Sequence, residues 1–212
     1  MHTESLDNKK VITPNKRMAE QLTQSMAKSA MSESGCNVVS KSDVSSLFSF
    51  IAETFKLLRF TPGYETLPPL VDSSYVFVCF IKAINANKPD VIIDPSELAS
   101  TASSAYSNMK MWDLETFTPE NLDHEYFISW SNMVERELSK LNVSLEWDAL
   151  DAIIAATLKG DLTFSKPIAL FGFDDYPPKV KSFIETLSLM GVDISYPWYE
   201  DVVSVCVVLS TF

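Results

Sequence analysis

Apolar and polar positions along this chain follow two patterns, and the pattern changes after Gly160. Val11-Ile12-Thr13 is a β-branched run that ends at Pro14-Asn15, which predicts a short strand stopped by a turn. From Lys16 to Met31 the apolar positions Met18, Leu22, Met26 and Ala30 recur every four residues, so the turn leads into a helix. Ser32 to Lys41 is rich in Ser, Gly and Asn and reads as a loop. Ser42-Asp43 then caps a helix from Val44 to about Phe60, which stops before Pro62-Gly63. The apolar run Tyr75 to Ile84 fits a buried strand or a buried helix, and the capping cluster Asp72-Ser73-Ser74 favours the helix. Asp94-Pro95 opens a helix to Met111, with Leu98, Ala102, Ala105 and Met109 facing inwards. Thr118-Pro119-Glu120 opens another through Leu141, where Phe127, Trp130, Met133, Val134 and Leu138 form a helical stripe. Trp147 to Leu158 follows and ends at Gly160, a C-terminal cap.

Beyond that glycine, Pro167-Ile168-Ala169-Leu170-Phe171 is a continuous apolar run, the pattern of a strand buried on both faces. It is followed by Gly172-Phe173-Asp174-Asp175, a helix from Pro177 to Met190, a capping Gly191 and a short strand beginning at Val192-Asp193-Ile194. The fold class is therefore α/β: a small parallel sheet with a large helical insertion, at about 42–160, between its first two strands. Residues 1–10 read as a flexible leader and 11–212 as a single domain.

The chain has 212 residues and 46% hydrophobic content, enough to bury a sizeable core. Its 17 Lys+Arg against 28 Asp+Glu leave a formal charge of −11, so any nucleic-acid contact must be local. Cys36, Cys79 and Cys206 are far apart and lack paired metal or redox spacings, as expected of reduced thiols in a cytoplasmic protein. Met1 to Lys10 lacks the apolar stretch of a signal peptide. Tyr75–Ile81 and Val202–Phe212 are the most apolar stretches, and both fall short of the roughly 18 to 20 residues of a membrane span, so no membrane partner is expected. Left alone, the tail Val202–Phe212 is a sticky edge that predicts self-association.

Thr13, Asn15, Lys16 and Arg17 combine a hydroxyl, an amide and two cations at a strand-to-helix turn, a chemistry suited to the phosphates of single-stranded DNA. Asp174 and Asp175 follow the central strand, where two carboxylates can hold a divalent cation or simply form a solvated turn. They are weak metal candidates, and no other residues suggest a metal. His124, between Asp123 and Glu125, reads as a surface residue. Trp112, Trp130 and Trp147 fall at helical core positions, whereas Trp198 is the aromatic expected to be exposed. No Ser or Cys carries a nucleophile signature and no Gly-x-x-x-x-Gly-Lys-Ser/Thr loop occurs, so no catalytic residue, cofactor or ATP hydrolysis is expected.

Val11-Ile12-Thr13-Pro14-Asn15-Lys16-Arg17-Met18-Ala19 resembles the "TPNRRLA" opening of a family of bacterial DNA-repair exonucleases, the family of the AddAB-type helicase-nuclease. It is also similar to motif Ia of superfamily 1 helicases. Ala99 to Leu114 with Trp112-x-Leu114, then Phe127-x-x-Trp130, resembles that family's helical insertion. Ile168 to Pro178 is similar to its "GFdeltP" segment. The resemblance covers about Val11 to Ile194 and implies a degenerate P-loop-type domain without catalysis, contacting single-stranded DNA through Thr13 to Arg17 and pairing with a partner helicase subunit. The family's downstream nuclease pattern does not follow, so the chain reads as a truncation or an isolated N-terminal fragment. The alternative expectation is a stand-alone protein-interaction module, a truncated gene product or bacterial effector, that does not bind DNA.

Overall fold

Val11 and Ile12 project to opposite faces of one strand, yet both are buried, so this strand is covered on both sides. A computed structural model of the chain describes residues 6, 8–35, 42–88, 94–114 and 118–197. In chain order these form β1 (Lys10–Thr13), α1 (Lys16–Ser34), β2 (Val44–Ser46), α2 (Leu47–Arg59), α3 (Ser74–Ala86), α4 (Pro95–Met111), α5 (Leu122–Leu141), α6 (Glu146–Lys159), β3 (Ile168–Leu170), α7 (Pro178–Leu189) and β4 (Ile194–Ser195). All pairings in the four-stranded sheet are parallel, in the order β2-β1-β3-β4.

Side-chain alternation sorts the core. Val11, Ala169 and Phe171 meet Leu22, Met18 and Met26 of α1 on one face. Ile12, Ile168 and Leu170 meet apolar residues of α2, α6 and α7 on the other, including Phe50, Ile153 and Phe183. A separate cluster joins α3, α4 and α5 around Phe80, Tyr106, Trp130 and Val134, and Leu145 and Trp147 at the start of α6 enter it. Helix α6 thus belongs to both cores and couples the helical part to the sheet.

Several expectations need correction. The helix expected from Val44 is divided: Val44–Ser46 pairs in parallel with Val11–Thr13 as β2, and Ser46, not Ser42-Asp43, caps α2 by accepting the Ser49 N–H. The large helical stretch therefore lies between β2 and β3, not between the first two strands. Helix α5 starts at Leu122, because the Asn121 side chain takes the His124 N–H, and not at Thr118. On α4 the buried residues are Ala99, Ala102 and Tyr106, while Ala105 is exposed. The end of the supposed leader is pinned: Lys10 N–H donates to Pro167 O at 2.8 Å, and Lys9 Nζ lies 3.0 Å from Ser195 Oγ. Tyr75 to Ile84 is helical, within α3. Cys79 is buried, which raises its thiol pKa, whereas Cys36 and Cys206 lie outside the described residues.

Asp43 holds the lower rim of the sheet together, with Lys10 Nζ at 2.8 Å and Lys166 Nζ at 2.9 Å. Burial alone would raise its pKa, but the hydrogen bonds and charges of Lys10 and Lys166 outweigh that and hold it below its ordinary value. A carboxylate with a lower pKa folded than unfolded binds fewer protons in the native state, so its contribution is present at neutral pH and lost as pH falls through the folded pKa. Urea midpoints measured from about pH 7 down to about pH 3 should therefore fall less steeply in Asp43→Asn than in the parent. Equal acid sensitivity of the two proteins would refute this role. The effect is modest, because the Asp43 carboxylate is 38% exposed and screened by solvent.

Candidate functional site

At the carboxyl rim of the sheet, alternation along β1 puts the Thr13 side chain on the same face as Val11, the face that α1 covers. Thr13 is fully buried, and its hydroxyl donates to Asn15 O at 3.0 Å, with Ser45 O at 3.5 Å. Thr13 therefore shapes the turn and is not available to a ligand, which removes it from the expected contact set. Asn15 is exposed and caps α1, its Oδ1 accepting the Met18 N–H at 2.9 Å. Lys16 and Arg17 form the exposed first turn of α1. Lys16 Nζ lies 3.8 Å from Glu20 Oε1, an exposed pair of small energetic weight. The turn thus presents two cations and the free N–H groups of a 19-residue helix on one solvent-facing surface.

Neighbouring β1 and β3 send their connections in opposite directions, to β2 and to β4, which makes the gap between them the topological switch point where open α/β sheets bind ligands. Here Met18 from α1 packs onto Gly172, the residue that turns the chain after β3 with φ 76°. A Cβ at that glycine would collide with the Met18 Sδ, so the Met18 side chain occupies the space beside Gly172. Beyond it Phe173 stacks on Tyr176 with ring centroids 4.9 Å apart, and Tyr176 meets Tyr196 edge-on at 6.5 Å. Burial and the neighbouring Tyr196 push the Tyr176 pKa up to about 12.

Asp174 and Asp175 are exposed in this loop, and Asp175 accepts its neighbour's Tyr176 N–H at 2.7 Å. It does not cap α7, which begins at Pro178 without a side-chain cap. Among the described residues no group of three or more His, Cys, Asp or Glu could hold a metal ion. His124 accepts the Glu120 N–H on its Nδ1 at 3.3 Å, a local bond at the start of α5. Trp130 and Trp147 are buried as expected, whereas Trp112, at the end of α4, is exposed. Trp198 and the tail Val202–Phe212 lie outside the described residues.

A second concavity, an open cleft of about 520 Å³, lies where the helical cluster meets the helices that cover the sheet. Helix α4 contributes Tyr106 and Lys110, α5 contributes Glu135 and Leu138, and α6 contributes Trp147 and Asp148. Lys110 Nζ sits 2.6 Å from Glu135 Oε1 and 5.2 Å over the Tyr106 ring, and the Tyr106 hydroxyl donates to Glu135 at 3.4 Å. Burial, with Glu135 beside it, raises the Tyr106 pKa. Burial also raises that of Asp148, partly offset by the Leu145 N–H that its Oδ2 accepts at 2.9 Å. Nothing in the sequence marks these residues, because each looks like an ordinary member of its own helix until the helices meet.

No known protein family matches this chain, and no curated protein matches it either. Among the described residues, no helix is long and apolar enough to cross a membrane.

Proposed function

We propose that this chain is a non-catalytic, helicase-like α/β domain of a bacterial DNA-repair helicase-nuclease, which contacts single-stranded DNA through the first turn of α1. The observation that carries this reading is the pair Lys16 and Arg17, exposed at a helix N-terminus on the carboxyl rim of a parallel sheet. Asn15 supports it indirectly, by capping the helix and so fixing where the two cations stand. Met18 beside Gly172 at the switch point accords with a domain that holds no nucleotide there. A partner helicase subunit would supply the motor, docking on the helical part.

The test is fluorescence anisotropy of labelled single-stranded DNA across a salt series, with the parent chain and with Lys16→Ala/Arg17→Ala. Binding in the parent should weaken with salt, and the double variant should flatten the logarithmic salt slope by about 1.4, the share of two phosphate contacts. Absence of binding at low salt would overturn the DNA contact. It would favour the second reading, a protein-interaction module, for which the exposed apolar residues Leu57, Phe60, Leu158 and Leu189 near the carboxyl ends of α2, α6 and α7 speak.

A further inference from the structure

We draw no further inference here: the strongest candidate, the surface carrying the exposed apolar residues Leu57, Phe60, Leu158 and Leu189 near the carboxyl ends of α2, α6 and α7, carries no proposal because nothing in the structure shows what covers it.

Discussion

Phe80→Ala should destabilise the protein by about 3–5 kcal/mol and lower its melting temperature by on the order of 10 °C, as a single cooperative transition. Phe80 is fully buried, meets Tyr106 edge-on at 5.6 Å and stacks on Phe127 at 6.3 Å, so truncation empties the centre of the α3–α4–α5 cluster. No neighbouring backbone can close the gap cheaply, because the flanking rings are held by their own helices. The transition should remain single because α6 is shared. Leu145 and Trp147 sit in the helical cluster, while Leu150, Ile153 and Ala156 sit in the one against the sheet, and Met111 packs against both. Calorimetry and circular dichroism decide this. Two separate transitions, with only the first moved, would show that the helical part melts by itself.

Gly172→Val should cost about 3 kcal/mol, from two separable sources. The backbone there has φ 76°, where a β-branched side chain carries roughly 1–2 kcal/mol of strain. The new Cβ also meets the Met18 Sδ, and displacing that side chain from the switch-point crevice adds an overpacking cost of about 1–3 kcal/mol. These can be told apart by a double-mutant cycle. Met18→Ala clears the collision but leaves the strain, so combining it with Gly172→Val should give a sum that falls short of additivity by about 1 kcal/mol. Strict additivity in urea unfolding would mean that Met18 does not occupy the space beside Gly172. That result would also reopen the switch point as a place for a ligand.

Much of the helical content was legible from local pattern. The four-residue repeat on α1 and the stripe on α5 record the face each helix turns to the core, and Asp94-Pro95 marks the start of α4. The apolar run of β3 was legible because a strand covered on both faces has no polar alternation. Strand β2 was not. Val44-Ser45-Ser46 carries one β-branched residue, and what makes it a strand is pairing with Val11 to Thr13 across the whole of α1. The start of α5 was misplaced for a related reason: Thr118 and Asn121 are both capping residues, and only the bond from His124 N–H to Asn121 selects between them.

The candidate site divides in the same way. Asn15, Lys16 and Arg17 stand in the solvent-facing turn where local pattern puts them, because a helix cap and its first turn involve only near neighbours. The full burial of Thr13 needed the assembled sheet, in which Ser45 of β2, distant in the chain, lies beside its hydroxyl. Hydrophobic period and capping within a few residues were enough to define the α/β class, most of the helices and the exposed cationic turn. The four-strand order, the Met18–Gly172 closure and the meeting of Tyr106, Lys110, Glu135 and Asp148 in one cleft arise from long-range packing, because each joins residues whose sequence neighbours carry no trace of the contact.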